Sequence, residues 1–278
     1  MTTVRVGDAG EDFAEGGRTM RIAYFDCFSG ISGDMTLGAL VDVGVDLAIL
    51  QAELAKLPVT GYRLETHVVK RGGLRGTKVD VLVEAAQPAR KYTDIVAMIS
   101  QSDLSPVIRQ NALDIFRRLG EAEAHLHHEP LDNVHFHEVG AVDSIVDVVG
   151  AVIGLQALEV AAVMSSPVNM GSGSVRTAHG LLPVPAPATL ELLKGCPSYA
   201  SDIRLELTTP TGAAILTTLA TRFGALPMIR VEKVGYGAGT KDLPSAPNLL
   251  RLIVGAVEEP GAAERASDPH PHHHHHHH

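Results

Sequence analysis

Histidines and carboxylates are concentrated in one short stretch in the middle of the chain. The histidines of this stretch are His125, His127, His128, His135 and His137. The carboxylates that follow them are Glu138, Asp143 and Asp147. Imidazole nitrogen with carboxylate oxygen suits zinc, nickel or copper, whereas calcium and magnesium require almost only oxygen. The alternative is solvated loop histidines and an aspartate favoured at a helix start, but this concentration of imidazoles favours a metal or catalytic site.

Two helices are predicted to position these side chains. Apolar residues recur at helical spacing over residues 107–126, which predicts the first helix. A second helix is predicted after residues 135–137, and Asp143 and Asp147, four residues apart, then share one of its faces. Residues 135–137 have the pattern of a short extended segment, in which alternation puts both histidines on one side. Imidazoles and carboxylates can therefore converge.

A glycine- and serine-rich loop near the start of the chain is the second candidate site. It follows a predicted strand, Arg21–Cys27, and precedes a predicted helix. Free backbone N–H groups at a helix start make an anion site, although no Gly-Lys-Ser/Thr of a Walker A loop follows. The alternative is a tight turn with a capping residue. The candidate phosphate-binding residues here are Asp26, Ser29, Gly30, Ser32, Gly33 and Asp34.

Two later segments add candidates for the same kind of site. Residues 205–207 have the pattern of a strand that leads into a second helix start rich in hydroxyl groups and glycine. Its candidate binding residues are Thr209, Thr211 and Gly212. His179 lies beside a glycine in a proline-rich run; a lone histidine is usually structural, so its role stays open between structure and site.

The remaining pattern predicts an α+β (mixed α/β) fold, a mixed sheet with packed helices. Strands are predicted at 62–70 and 77–84 as a hairpin, and at 228–234 and 249–254, with a glycine-rich loop at 235–242. Lys78, close to the hairpin turn, is interpreted as solubilising charge.

Composition excludes several classes of protein. The 278 residues carry a net charge of −9, which argues against a nucleic-acid surface. Two cysteines without CxxC spacing do not make a disulfide scaffold, and no apolar run is long enough to cross a membrane. The N-terminus lacks a signal-peptide pattern, so a cytoplasmic location is predicted. Predicted organisation is a disordered leader at 1–19, a domain at 20–257 that could contain two subdomains, and a disordered histidine-rich tail or tag at 258–278.

Five motifs occur in an order that resembles one family, the nickel-insertion proteins of nickel-pincer cofactor biosynthesis (the LarC family). Each motif alone is weak, but together they are specific and cover residues 20 to 255. The motifs are Tyr24–Met35, His135–Asp147, Thr177–Gly180 with Pro183–Thr189, Thr209–Ala214 and Gly235–Gly239.

The resemblance implies a nickel-binding insertase, or cyclometallase, of the lyase class. Family members insert Ni(II) into pyridinium-3,5-bisthiocarboxylic acid mononucleotide, and the product has metal–carbon and metal–sulfur bonds. That cofactor serves lactate racemase and related enzymes, so such an enzyme is the expected acceptor. The family uses CTP with a divalent ion in this step.

The chain departs from the family in one respect. Full-length members carry a further C-terminal domain, associated with CTP binding and oligomerisation, whereas the match here stops near Gly255. We therefore expect the CTP-binding domain to be absent, a C-terminal half to act as a partner chain, and the protein to form a homo-oligomer. Two alternatives stay open: a nickel storage or delivery module, and a metal-dependent hydrolase that uses His135, His137 and Asp143 to activate water.

Overall fold

The computed structural model describes residues 19–258 except 89, 137–140, 178–179 and 244–245. Its helices are α1 (Gly33–Asp42), α2 (Leu47–Leu54), α3 (Tyr92–Ser100), α4 (Pro106–His127), α5 (Val142–Ala157), α6 (Pro187–Leu192) and α7 (Pro210–Leu219). Its strands are β1 (Thr19–Asp26), β2 (Tyr62–Arg71), β3 (Leu74–Val83), β4 (Ala162–Ser165), β5 (Val168–Asn169), β6 (Ser174–Thr177), β7 (Gly180–Pro183), β8 (Ser198–Tyr199), β9 (Ala220–Phe223), β10 (Arg230–Ala238) and β11 (Leu249–Glu258).

A seven-stranded mixed sheet organises the chain, in the order β2-β3-β10-β11-β1-β4-β9. Strand β11 lies between β10 and β1 and is antiparallel to both, whereas β1, β4 and β9 run parallel. Two smaller sheets pair β5 with β8 and β6 with β7. Parallel and antiparallel pairs in one sheet confirm the predicted α+β class.

Helices cover the sheet through one apolar core. Helix α1 lies across β3 and β10, and α5 packs against α1, β3 and α4. Side chains of β1 such as Ala23 and Phe25 belong to this core, as do Leu252 and Val254 of β11. Their burial removes apolar surface from water, which is the main force that stabilises such a fold.

The predicted helices are present, and α1, α2, α4 and α7 each begin with a side-chain cap. Ser105 caps α4 by accepting a hydrogen bond from the backbone N–H of Ile108 at 3.4 Å, and Pro106 occupies the first turn. Helix α4 ends at His128, whose φ of 54° is left-handed. Asp46 caps α2 by accepting a hydrogen bond from the backbone N–H of Ala48 at 2.9 Å.

Three strand predictions are wrong in detail. The segment Leu205–Leu207 contributes one isolated bridge, Glu206 to Gly171, because it runs as an extended connection into α7. Strand β10 continues through Gly235–Ala238, which the glycine content had placed in a loop. The β2–β3 turn is also shorter than predicted, since only Gly72 and Gly73 separate the two strands.

Two short strand pairs, β5–β8 and β6–β7, were not predicted. Prolines and glycines surround them, and these residues usually mark loops. The predicted leader and tail lie outside the described residues apart from Thr19 and Glu258, so the division of the chain into leader, domain and tail stays a prediction. None of the described helices is long and apolar enough to span a membrane.

Candidate functional site

Three helix starts surround one cavity of about 360 Å³. The helices are α1, α5 and α7, and β3 supplies a further wall. The residues that line the cavity are Ser32, Gly33, Asp34, Lys78, Val79, Asp80, Val81, Asp143, Ser144, Asp147, Glu206, Thr209, Pro210 and Thr211. Helix starts offer backbone N–H donors and the positive end of the helix dipole, so they favour anionic groups. Here they stand beside several carboxylates.

Local sequence explains why these helix starts meet. Ser32 caps α1 by accepting a hydrogen bond from the backbone N–H of Met35 at 3.4 Å. Thr209 caps α7 by accepting one from the backbone N–H of Gly212 at 3.2 Å. Gly33 allows α1 to begin directly against α5, since a Cβ there would lie 2.2 Å from Oδ2 of Asp147. A larger residue at position 33 would therefore push α1 and α5 apart.

Lys78 links two of the carboxylates. Its Nζ lies 2.8 Å from Oδ2 of Asp34 and 2.8 Å from Oδ1 of Asp80, and its side chain is only 8% exposed. Burial acts to lower the pKa of Lys78, but the two carboxylates outweigh burial and raise it. The ammonium group therefore stays charged. Asp34 also accepts a hydrogen bond from the backbone N–H of Met35 at 2.9 Å, which fixes its position at the first turn of α1.

Asp147 is the least satisfied carboxylate of the cavity. Its Oδ1 is enclosed by protein and has no hydrogen-bond partner among the described residues. Burial, followed by the charges of Asp34 and Asp143, raises the pKa of Asp147 well above its usual range, although Lys78 acts in the opposite direction. An enclosed acceptor without a partner costs folding free energy, so such a group is expected to have a role.

Asp147→Asn is expected to stabilise the ligand-free chain at neutral pH. Because the folded-state pKa of Asp147 is raised, wild-type stability falls as the pH rises from the unfolded-state value of about 3.9 through the folded-state value. The amide does not titrate, so the advantage of the variant grows through that window and is constant above it. Thermal unfolding of the variant and of the wild type at several pH values measures this difference in stability. Each kcal/mol of unfolding free energy shifts Tm by roughly 2–4 °C.

The exposed Asp103 supplies the control, and Asp103→Asn should leave Tm nearly unchanged at every pH. An equal Tm difference at all pH values would mean that Asp147→Asn acts through packing and that the charge has no part in it. Destabilisation at neutral pH would contradict the expectation directly.

The structure brings together most residues of the two predicted anion sites. Ser32, Gly33, Asp34, Thr209 and Thr211 all line the cavity, and Gly212 donates to the cap of α7. Two other candidates, Ser29 and Asp26, have different partners. Ser29 donates its hydroxyl to the carbonyl of Pro247 at 2.7 Å, and Asp26 forms an ion pair with Arg251 of β11. Gly30 closes a turn by donating its N–H to the carbonyl of Cys27 at 3.0 Å.

The predicted metal set is divided by the structure. Asp143 and Asp147 line the cavity, as their shared helix face predicts. The described histidines have other surroundings, and none of them lines the cavity. Nε2 of His125 lies 3.9 Å from Oε2 of Glu191, and Nε2 of His127 lies 3.4 Å from Oε2 of Glu123. The ring centres of His125 and His128 are 6.4 Å apart. His135 forms a single bridge with Lys91.

No group of three described histidines, cysteines or carboxylates is arranged to hold a metal ion. His137, Glu138 and His179 lie outside the described residues. The assignment of the histidines and carboxylates as metal ligands therefore stays a prediction.

Three charged residues of the cavity were missed as site residues: Lys78, Asp80 and Glu206. A signal for two of them was present, because Lys78 and Asp80 are two apart on β3 and so face the same side of the sheet. Opposite charges at this spacing on an inner strand indicate a buried ion pair rather than surface charge. Glu206 had no such signal, since it lies in an irregular segment.

A cavity that combines carboxylates, an ammonium group and helix starts is suited to a ligand with both cationic and anionic parts. The chain belongs to the nickel insertion protein family, whose model it matches over residues 23–275.

Named relatives agree with this assignment. The chain is 55% identical over 240 residues to the pyridinium-3,5-bisthiocarboxylic acid mononucleotide nickel insertion protein of Desulfitobacterium hafniense, a match that covers 86% of this chain. It is 48% identical over 246 residues to the protein of the same name from Geobacillus kaustophilus, with 85% of this chain covered. The matched part spans 60% of the length of each relative. No solved structure matches the chain.

Proposed function

We propose that this chain binds Ni(II) as a substrate and inserts it into pyridinium-3,5-bisthiocarboxylic acid mononucleotide, the reaction for which its relatives are named. The observation that carries the proposal is the cavity at the starts of α1, α5 and α7. Residues from separate motifs of the sequence meet there, and their chemistry suits both partners of the reaction.

The phosphate of the mononucleotide is proposed to bind at the starts of α1 and α7. Ser32 and Gly33 on one side, and Thr209 and Thr211 on the other, line the cavity within the first turns of these helices. Backbone N–H groups and the helix dipole favour a phosphate at such a position. The pyridinium ring would then extend toward the carboxylates.

The carboxylates are proposed to attract the metal and to accept a proton. When a metal–carbon bond replaces a ring C–H bond, the electron pair of the C–H bond becomes the carbon–metal bond, the metal keeps its oxidation state, and a proton is released. Asp34, Asp143 and Asp147 line the same cavity and are oxygen bases within it. A carboxylate beside the ring can take up the released proton as a general base, which accelerates the exchange.

The histidines are proposed to collect nickel near the end of α4. All four described histidines of this region, His125, His127, His128 and His135, are exposed. His125 lies beside Glu191, and His127 lies beside Glu123. Neutral imidazoles bind nickel well, and exposed ones exchange it readily. His137 and Glu138 are included in this proposal from the sequence alone.

Finer parts of the proposal follow the family resemblance. They are CTP with a divalent ion as the co-substrate, a lactate racemase-type acceptor enzyme, a cytoplasmic location, and assembly with a C-terminal half or as a homo-oligomer. The assay below tests the CTP requirement directly.

The proposed function is tested by incubating the full chain with Ni(II) and the mononucleotide, with and without CTP and magnesium. Mass spectrometry should detect a product that has gained nickel and lost the ring proton. Nickel that stays on the protein without product formation would identify a delivery module instead. Hydrolysis of an ester substrate by the zinc-loaded chain would indicate a hydrolase, a reading that no arrangement of the described residues supports.

A further inference from the structure

Lys78 reaches the cavity with all of its hydrogen-bond donors already in use. An ammonium group has three N–H donors. Its Nζ donates to Oδ2 of Asp34 and to Oδ1 of Asp80, each at 2.8 Å, and to the carbonyl of Val79 at 3.2 Å. A phosphate could therefore gain a hydrogen bond from this ammonium group only by displacing one of the three acceptors.

Two of these bonds make Lys78 a link between two elements of the fold. Asp34 lies in the first turn of α1, whereas Lys78 and Asp80 lie on β3. The ammonium group is buried between the two carboxylates, and loss of one member of such a group leaves a poorly solvated charge without its partner. Lys78 therefore ties the start of α1 to the sheet.

Asp34 extends this link to the cap of α1. Its Oδ1 accepts hydrogen bonds from the backbone N–H of Met35 at 2.9 Å and from the hydroxyl of Ser32, which is the cap residue. Its Oδ2 accepts from Lys78 at 2.8 Å and from the hydroxyl of Thr240 at 3.4 Å. A carboxylate has about four acceptor positions, so Asp34 is fully engaged in holding the helix start.

We infer that Lys78 is a positioning residue: through Asp34 it fixes the first turn of α1 beside the cavity, and the mononucleotide contacts that turn and not the ammonium group. The inference rests on the proposed function, which places the phosphate of the mononucleotide at this helix start. Donors that are already ordered lose less freedom when a ligand binds. The link therefore raises affinity without touching the ligand.

The test uses a charge-balanced variant, Lys78→Met with Asp80→Asn, which removes the link and leaves the net charge of the cavity unchanged. Isothermal titration measures the affinity of the full chain for the mononucleotide, in the wild-type background and in an Asp34→Ala background. Residues that act through one another give non-additive effects. The charge-balanced substitutions should therefore lower the affinity roughly tenfold in the wild-type background and less than about twofold in the Asp34→Ala background.

Two results of this titration would overturn the inference. Equal losses in both backgrounds would mean that the ammonium group binds the phosphate directly. Unchanged affinity of the charge-balanced variant in the wild-type background would mean that Lys78 serves only the stability of the fold.

Hydrogen exchange of the Thr36 amide tests the positioning role without any ligand. This amide donates to the carbonyl of Ser32 at 3.0 Å, so it reports the order of the first turn of α1. NMR should show faster exchange of this amide in the charge-balanced variant. The amide of Gly212, capped by Thr209 at the start of α7, is the internal control and should exchange as in the wild type. Unchanged exchange of Thr36 would overturn the inference.

Lys78→Arg is the second variant, and it keeps the test decisive if the charge-balanced variant does not fold. A guanidinium group can also donate to two carboxylates, and the adjoining cavity gives it room. Lys78→Arg should therefore retain the slow exchange of Thr36 and most of the affinity for the mononucleotide. A folded Lys78→Arg chain with fast Thr36 exchange would contradict the inference, because the cationic link is still present.

Failure of the inference is distinguishable from failure of the proposed function. If the wild-type chain does not bind the mononucleotide, the proposed function fails, and the exchange of Thr36 still decides whether Lys78 positions the helix start. Tight binding of the mononucleotide together with equal losses in both backgrounds would reject only the role of Lys78.

Discussion

Gly237→Ala is expected to unfold the protein or leave it barely stable. Gly237 lies in β10 where α1 crosses the sheet, and a Cβ there would come within 1.8 Å of the carbonyl oxygen of Met35 and 2.5 Å of the Ala39 nitrogen. Both atoms belong to the backbone of α1, so no side chain can move aside. Forcing α1 away from β10 should cost more than about 4 kcal/mol, a large part of the roughly 5–15 kcal/mol that stabilises a typical domain.

Urea unfolding followed by circular dichroism measures this loss, together with the soluble yield. Gly195→Ala is the matched control, because no atom lies within 4 Å of the added Cβ and only the positive φ of 80° is unfavourable. That variant should lose roughly 1–2 kcal/mol. Similar losses in the two variants would show that the contact between α1 and β10 is not the cause. The same contact holds the start of α1 at the cavity, so the glycine serves the site as well as the fold.

Asp34→Asn is expected to lower nickel insertion by roughly 100-fold, by analogy with the larger losses seen when groups around a metal are altered. The amide keeps the size of Asp34 and one oxygen for the backbone N–H of Met35. It removes the charge that pairs with Lys78 at 2.8 Å and that faces the proposed path of the metal. Product formation in a single turnover, at low and at saturating nickel, measures the loss.

The matched comparison is the double variant His125→Ala with His128→Ala. If these histidines collect nickel and the cavity performs the insertion, the double variant should be slow only at low nickel and normal at saturating nickel. Asp34→Asn should be slow at both concentrations. The opposite result would be full activity in Asp34→Asn together with slow insertion at saturating nickel in the histidine variant. That result would indicate that insertion takes place at the end of α4.

Sequence patterns predicted helices and strands better than they predicted which residues lie close together in the folded chain. The apolar periodicity over residues 107–126 is a local signal, and it placed α4 correctly. The continuation of β10 was missed because glycine is usually unfavourable in strands. Here Gly235 and Gly237 are needed for a reason that comes from tertiary structure: a helix backbone crosses directly above them.

Several residues of the cavity were predicted to be functional, but it was not predicted that they lie together in one cavity. Asp34 was assigned to a phosphate site, and Asp143 and Asp147 were assigned to a metal site with the histidines. The sheet order brings these aspartates together, and no local pattern specifies that order. Lys78 was interpreted as surface charge for the same reason, because its spacing from Asp80 indicates a buried ion pair only once β3 is known to lie between β2 and β10.

The position of β11 in the sheet has a consequence for how the chain folds during synthesis. This strand fills the gap between β10 and β1, and its register pairs Thr19 with Glu258. Closing so long a loop is entropically costly, and folds dominated by such distant pairings form slowly. On the ribosome, β1 emerges early but has no partner on that side until almost all of the described chain has been translated. The central sheet is therefore completed last, and the newly made chain depends for longer than most on protection from aggregation.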